Sequence, residues 1–329
     1  MDEDIPYFSA VRVVDPEMLL AAIRGARLHA CQLSPRAAPS MLARLVCRRL
    51  CLDFAALGPA MHFNGVMPGD RYTLAFVMTC PQNGHSFNFA SEHTDGYIGF
   101  FPPGGVLDAT TPVGYASATI TVPKAEFHAA LARFFPEIPD QVLNHGAGMR
   151  VGTIEQAILR NLLGRVETAI HDPQAPLAAE PIRQVLERDL LAAFLMALRS
   201  GCENLVPSPT QRVTRRYRRL NQAVEFIAEN GSRAIHLGDL CAELELSERG
   251  VENLFRDLLG IAPNAYLRQH KLHLARRTLR QAAPASGTIK QTAMELGFGH
   301  LGRFARDYRS LFGVGPSETL FHASRSCRP

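Results

Sequence analysis

The sequence LCAELELS at residues 240–247 has a counterpart in TAMELGFG at residues 292–299, 52 positions later. Each copy is followed by an apolar segment at helical spacing, then by a glycine with a proline three residues beyond it. Ser247 stands where its side chain can cap the helix that follows the first copy. The repeat therefore predicts two helix-turn-helix units, a motif whose second helix enters the major groove of DNA.

The two predicted units are joined by a segment with the pattern of one long helix. We place the first unit at about residues 237–260, the connecting helix at about 263–281 and the second unit at about 288–313. A connecting helix of 19 residues is about 28 Å long at 1.5 Å per residue. Because one turn of B-DNA is about 34 Å, this connector can hold two recognition helices in successive major grooves.

This region resembles the DNA-binding domain of the AraC/XylS family of bacterial transcription regulators over about Tyr217–Leu320. The positions that match the family are Leu246-Ser247, Phe255-Arg256, Gly260, Pro263, Tyr266-Leu267, Lys271-Leu272, Ala275, Leu279, Ile289, Ala293, Gly297-Phe298, Phe304, Arg306, Gly313 and Pro316. Gly299 departs from the serine N-cap that is common there, and Gly302 falls inside the second recognition helix. The resemblance implies a sequence-specific, effector-responsive activator that binds promoter DNA as a homodimer and contacts RNA polymerase.

The candidate DNA contacts lie on the helix faces opposite the apolar stripes. Arginine can pair with guanine, asparagine with adenine, and glutamate can accept from cytosine. The expected base contacts are Arg249, Glu252, Asn253, Leu301, Gly302, Arg303 and Arg306. The expected backbone contacts are Ser247, Arg215, Arg216, Arg218, Arg219, Arg276 and Arg277. A second interpretation is open for Arg306, which can also pair with a phosphate or with an acidic residue of its own unit.

Charge is divided unevenly along the chain. The net charge of +4 comes from 35 basic and 31 acidic side chains. Residues 207–329 hold 19 basic and 11 acidic residues, a balance of +8, whereas residues 1–206 hold 16 and 20, a balance of −4. This asymmetry points to an anionic partner for the C-terminal part. The break between the two parts falls at the prolines Pro207 and Pro209.

The part before the break is rich in short strand-like segments between about residues 44 and 122, with turn residues between them. Such spacing predicts an antiparallel barrel or sandwich, and small barrels often enclose one ligand. The family resemblance adds that this part is a cupin-like sensor barrel. The candidate pocket residues are His62, Phe76, Phe87, Phe89 and Phe100, although alternation alone leaves open which face points inward.

These features predict an α+β multidomain protein. Its first domain, residues 1–206, is expected to be a cupin-like β-barrel with packing helices at about 124–135, 153–170 and 181–199. Its second, residues 207–329, is expected to be all-α. The later helices of the first domain either pack within one chain or form a dimer seam anchored by Leu190 and Phe194.

Several other chemistries find little support in the residues. Histidines of the barrel lack the spacing of a cupin metal site, and Cys47 and Cys51 have no second pair to complete a zinc site. We therefore expect no metal, no cofactor and no enzymatic site. The acidic start and the absence of a long apolar run favour a cytoplasmic bacterial protein without membrane insertion. Two alternatives remain: a cupin-type metalloenzyme fused to a DNA-binding tail, and a regulator whose barrel serves only dimerisation or protein contacts.

Overall fold

Strands dominate the N-terminal part and helices the C-terminal part, which confirms the α+β organisation. The computed structural model describes residues 8–13, 23, 25–35, 38–82, 84–86, 91–135, 138–172, 174–204, 211–230, 235–282 and 288–326. By contacts the chain divides into two units, Met1–Ala30 with Ala38–Pro209, and Cys31–Ala37 with Thr210–Pro329. The break expected at Pro207 and Pro209 lies outside the described residues.

The described strands form two sheets rather than one closed barrel. The larger sheet contains, in spatial order, Phe8–Val13 (β1), Ser40–Val46 (β3), Cys51–Ala56 (β4), Ala116–Pro123 (β11), Arg71–Thr79 (β6), Tyr97–Phe101 (β9) and Ala147–Arg150 (β12). The smaller sheet contains Arg27–Gln32 (β2), Met61–Val66 (β5), Val106–Thr111 (β10), Gly84–Ser86 (β7) and Ser91–His93 (β8). All ladders of the larger sheet are antiparallel.

The two faces of the larger sheet have different partners. The register aligns Leu45, Leu52, Ile120, Leu74 and Phe100 in one row across five strands, and all five are fully buried in the main core. Successive side chains of a strand point to opposite faces, so their neighbours along each strand face away from that core. One face thus builds the core with the helices, and the other is left to line a cavity.

The helices of the N-terminal unit cover the apolar face of this sheet. They are Lys124–Phe134 (α1), Asp140–His145 (α2), Thr153–His171 (α3) and Glu180–Glu203 (α4), with a short 3-10 turn at Pro176–Ala178. Leu190 and Phe194 of α4 are both 0% exposed within the main core. The expectation that these two anchor a dimer seam is therefore wrong, because their side chains are already used inside one chain.

The C-terminal unit consists of seven helices within the described residues. They are Gln211–Glu229 (α5), Leu237–Leu244 (α6), Glu248–Leu259 (α7), Pro263–Gln281 (α8), Thr288–Glu295 (α9), Leu301–Phe312 (α10) and Pro316–Ser326 (α11). Helices α6 and α7 form the first helix-turn-helix, and α9 and α10 form the second. Helix α8 connects them and packs on both.

A short segment from early in the chain, Cys31–Ala37, clusters with this helical unit. The Gln32 side chain donates to the Leu311 carbonyl at 2.6 Å, and the Gln32 amide donates to Nε2 of His273 at 2.9 Å. His273 accepts only when neutral, and burial lowers its pKa to about 3. The segment thus satisfies polar groups of α8 and α10 that would otherwise be buried without partners.

The turn of each helix-turn-helix unit contains one residue in the left-handed backbone region, and the two units use different residues there. Glu245 ends α6 in the left-handed region, at φ 50°. The equivalent position of the second unit is Gly297, at φ 78°. A residue with a Cβ is strained in this region by about 1–2 kcal/mol, whereas glycine adopts it without that penalty. The first turn therefore carries strain that the second avoids.

We expect Glu245→Gly to raise the stability of the helical unit by up to about 1 kcal/mol, since it removes that strain at some cost in unfolded-chain entropy. Gly297→Ala should lower stability by about 1–2 kcal/mol. Urea unfolding of the full chain measures both. Glu245→Ala serves as the control, because alanine keeps the Cβ; a gain as large as that of Glu245→Gly would show that strain is not the cause.

Candidate nucleic-acid interface

Helix α7 is positioned by its cap and by its apolar face. The Ser247 hydroxyl accepts from the Gly250 amide at 3.2 Å, the geometry of an N-cap. Val251 and Phe255 are fully buried, and the Phe255 ring meets the Tyr266 ring of α8 edge-on at 5.6 Å. With this face fixed against α8, the opposite face of α7 is directed to solvent.

The solvent-facing side of α7 carries the three predicted base contacts of this helix, which differ in exposure and in hydrogen bonding. Arg249 and Asn253 are exposed and one turn apart. Glu252 is half-buried, and its carboxylate accepts from the Arg256 guanidinium at 2.9 and 3.1 Å. Arg249 and Asn253 are thus available to a base edge, whereas Glu252 must exchange a partner first.

Helix α10 presents an equivalent face. Its inner residues Phe304 and Tyr308 are buried, and the Tyr308 hydroxyl donates to Thr319 Oγ1 at 2.9 Å. The four predicted base readers of this helix are exposed: Leu301, Gly302, Arg303 and Arg306. The N-cap is His300 rather than Gly299, and its side chain forms no capping hydrogen bond. The start of α10 is therefore less well held than the start of α7.

The internal ion pairs of the second unit involve other residues than Arg306. Arg268 of α8 pairs with Asp307 of α10, and Arg309 pairs with Glu318 at 3.3 Å. Arg306 itself is exposed, and both of its sequence interpretations stay predictions.

The predicted backbone contacts divide into exposed and engaged side chains. Arg215, Arg218 and Arg277 are exposed and Arg219 is half-buried. Arg216 is half-buried and pairs with Asp257 of α7 at 2.6 Å, so it ties α5 to the first recognition helix.

The assignment of Arg276 to the DNA backbone is wrong. Its side chain is 5% exposed, and its guanidinium carbon lies 4.5 Å from the centroid of the Phe312 ring. This is a cation–π geometry inside the helical core, where the arginine stem also fills space. Arg276 is a structural residue, and its neighbour Arg277 faces solvent because successive residues of a helix point about 100° apart.

Arg276→Ala should destabilise the helical unit by about 2 kcal/mol, because it removes the cation–π contact and leaves a void beside Phe312. Arg277→Ala should leave stability unchanged within about 0.5 kcal/mol, as is usual for exposed sites. Thermal unfolding followed by circular dichroism compares the two variants directly. Equal stability of both would contradict the burial of Arg276.

The N-terminal unit contains a cavity of about 110 Å³ lined by residues of both sheets. The predicted pocket residues do not line it. Phe76 and Phe100 point to the helix-covered face of the larger sheet, and His62 lies on the far side of β5, with Nε2 2.8 Å from Asp108 Oδ1. Phe87 and Phe89 lie outside the described residues.

The residues that do line the cavity are the neighbours that sequence analysis passed over. Examples are Ala75, Val77, Tyr97 and Phe101 of the larger sheet and Phe63 of the smaller one. Strand alternation predicts which residues share a face, but both faces of β6 are largely apolar. No sequence signal distinguished the helix-covered face from the cavity face.

The described residues contain neither a metal-binding cluster nor a membrane-spanning helix. No group of three or more His, Cys, Asp or Glu side chains there is arranged to hold a metal ion. Within the same residues, every helix is too short or too polar to span a lipid bilayer.

Comparison with known proteins identifies the family to which the chain belongs. A helix-turn-helix domain family matches residues 240–321. An XylDLEGF operon transcriptional activator of Pseudomonas putida is 40% identical over 107 residues, 32% of this chain and 32% of that protein. A second one, XylDLEGF operon transcriptional activator 2, is 38% identical over 106 residues, 32% of this chain and 68% of that protein. The chain belongs to the AraC/XylS family of transcriptional regulators.

The family model matches this AraC/XylS regulator within its helical unit. The matched segment spans about a third of the length of the first relative. A crystal structure of a probable AraC family regulator from Rhodopseudomonas palustris is 36% identical, with a TM-score of 0.30, and covers 34% of this chain and 99% of that one.

Proposed function

We propose that this AraC/XylS-family protein is an effector-responsive activator of transcription that reads two successive major grooves of promoter DNA. The observation that carries the proposal is the paired exposure of Arg249 on α7 and Arg303 on α10, each on the solvent side of a helix whose other side is buried. Helix α8, 19 residues long, sets these helices apart over about 28 Å. That span suits one turn of B-DNA.

The activating role is supported by the names of the relatives, which are operon transcriptional activators of Pseudomonas putida. Activation implies a contact with RNA polymerase in addition to the promoter. Because the helical unit is the part that contacts DNA, we place the effector in the N-terminal unit, where the cavity offers a space for it.

Base reading and phosphate contact are separable in this chain. Arg249 carries a planar fork that can bond guanine O6 and N7, and Asn253, one turn further on, can bond adenine. Arg277 belongs to α8 and not to a recognition helix. Its side chain is exposed, and we assign it a contact with a DNA phosphate. Base contacts confer sequence preference, whereas phosphate contacts add affinity that falls with salt.

Arg249→Ala should weaken binding to a site selected from a random DNA library by about 1–3 kcal/mol, roughly 5- to 150-fold. Binding to random DNA should change much less. Arg277→Ala, the matched control, should weaken both DNAs alike and reduce the salt slope by about one unit. Competition binding at fixed salt measures these ratios; an equal loss on both DNAs for Arg249→Ala removes it as a base reader.

Arg303→Ala should have a smaller effect on preference than Arg249→Ala. The first turn of α10 has no side-chain cap, and Gly302 weakens a helix by about 1 kcal/mol relative to alanine. The second unit is therefore expected to contribute affinity more than discrimination.

A second copy of the chain would supply the other half of a long binding site and strengthen binding by avidity. The surface we propose for it consists of two exposed apolar patches, one near the start of α3 and one near the start of α4, at opposite ends of this antiparallel helix pair. Ile154 and Ile158 are 71% and 45% exposed, and Ile182 and Val185 are 40% and 49% exposed. These patches replace the buried Leu190 and Phe194 as the proposed seam.

We expect sedimentation equilibrium of the full chain at tens of micromolar to show a dimer that Ile154→Asp with Val185→Asp converts to a monomer. A charge on each face would have to be buried unpaired in the interface. Val106→Asp is the control, since Val106 is 53% exposed on β10. A chain that sediments as a monomer without substitution contradicts the proposed dimer.

A further inference from the structure

We infer that the cavity of the N-terminal unit binds a neutral molecule about the size of one six-membered ring, carrying a single hydrogen-bonding group. The inference rests on the proposed function in so far as this molecule would be the effector. The binding itself can be tested without DNA. Four properties of the cavity carry it: size, unpartnered polar atoms, charge and aromatic walls.

Size sets the first limit. The cavity measures about 110 Å³, several times the roughly 10–15 Å³ that one water needs and somewhat less than the apolar cavity of about 150 Å³ that accepts benzene in another protein. The space inside the cavity therefore exceeds that of a single water and suits at most about one ring.

Two polar atoms of the lining mark where a ligand's polar group would bind. Thr111 is 6% exposed and His93 is 4% exposed, and neither Oγ1 of Thr111 nor Nε2 of His93 has a hydrogen-bond partner within the described structure. A buried polar group left without a hydrogen bond is unfavourable. A ligand hydroxyl, carbonyl or amide that bonds these atoms would recover part of that cost.

The strand register brings these two atoms to the same end of the cavity. On β7, Gly84 pairs with His93 of β8. The ladder of β10 with β7 pairs Thr110 with His85, so its continuation brings Thr111 opposite Gly84. A Cβ at Gly84 would collide with Nε2 of His93. Glycine at position 84 therefore leaves room for the His93 ring over β7, the strand that lies between β8 and β10.

The charge of the lining disfavours an anion. The lining contains neither lysine nor arginine, and burial lowers the pKa of His93 to about 4, which keeps the ring neutral near pH 7. The one carboxylate, Asp53, already pairs with Arg44, whose Nε lies 2.5 Å from Oδ1. A ligand carboxylate would enter a buried site without a cation to pair with, which is strongly unfavourable.

Aromatic side chains of the cavity wall surround the His93 ring. The His93 ring centroid lies 5.6 Å from that of Tyr97 and 5.7 Å from that of Tyr115, the latter in an edge-on arrangement. All three line the cavity, as do Phe63 and Phe101. Ring edges and faces presented together favour an aromatic guest over an aliphatic one of equal size.

The test uses four probes on the full chain in isothermal titration calorimetry: benzyl alcohol, toluene, benzoate and 1-naphthalenemethanol. Benzyl alcohol should bind, toluene should bind about 5- to 10-fold more weakly, and benzoate and 1-naphthalenemethanol should give no heat at millimolar concentration. Thr111→Val and His93→Phe should each reduce the preference for benzyl alcohol over toluene.

Thr73→Val is the matched control. Thr73 is also fully buried in the N-terminal unit, and its Oγ1 likewise lacks a partner within the described structure, but it does not line the cavity. It should leave all four titrations unchanged, and circular dichroism verifies that each variant is folded.

Benzoate binding as tightly as benzyl alcohol would overturn the assignment of a neutral ligand. Binding of the naphthalene probe would overturn the size limit, and no binding of benzyl alcohol would overturn the proposal as a whole. An unchanged preference in both Thr111→Val and His93→Phe would overturn the assignment of these two side chains as the hydrogen-bond partners of the ligand. Each of these results leaves the DNA competition experiments standing, so failure of the ligand and failure of the regulator are distinguishable.

Discussion

The burial of one side of α8 against both helix-turn-helix units is the constraint on which the DNA-binding geometry depends. Near its start, Tyr266 meets Phe255 of α7. Further along, Leu272 and Ala275 pack in a core that includes Phe304 of α10. A straight helix anchored at both ends transmits the position of one recognition helix to the other. Their separation therefore follows from the rise of α8 per residue rather than from a flexible loop.

The N-terminal unit depends on a different constraint, the period of two in a β-strand. In the larger sheet this period separates a fully apolar face, which packs on the helices, from a mixed face, which lines the cavity. Asp53 and Thr119 lie beside each other on the mixed face, while Leu52 and Ile120 lie beside each other on the apolar one. A single sheet thus packs on the helices with one face and lines the cavity with the other, because neither face needs side chains from the other.

The many arginines of the helical unit perform at least three physical tasks. Arg276 is a core residue that stacks on Phe312. Arg216 and Arg268 fasten helices to one another through Asp257 and Asp307. Exposed arginines such as Arg249 are the proposed contacts with DNA. The two ion pairs leave the net charge of the unit unchanged, because each contains one positive and one negative group, whereas the burial of Arg276 withdraws one positive charge from the surface.

The sequence by itself determined the helix-turn-helix repeat, the family and the helix that joins the two units. These depend on local signals: apolar residues at helical spacing, Ser247 at an N-cap, and glycines after helix ends. It also determined that strands come first and helices last. Such features are encoded within about ten residues of one another, so no long-range information is needed to see them.

Only the tertiary structure decided which side chains are available. Arg276 and Arg277 are adjacent and chemically identical, yet one is buried and one exposed, because the position of Phe312 and the rotation of α8 are set by distant packing. Phe76 and Phe100 suggested a pocket, but the helices that follow the sheet cover their face. The cavity instead belongs to residues such as Thr111 and His93, which line it from two different strands, β10 and β8.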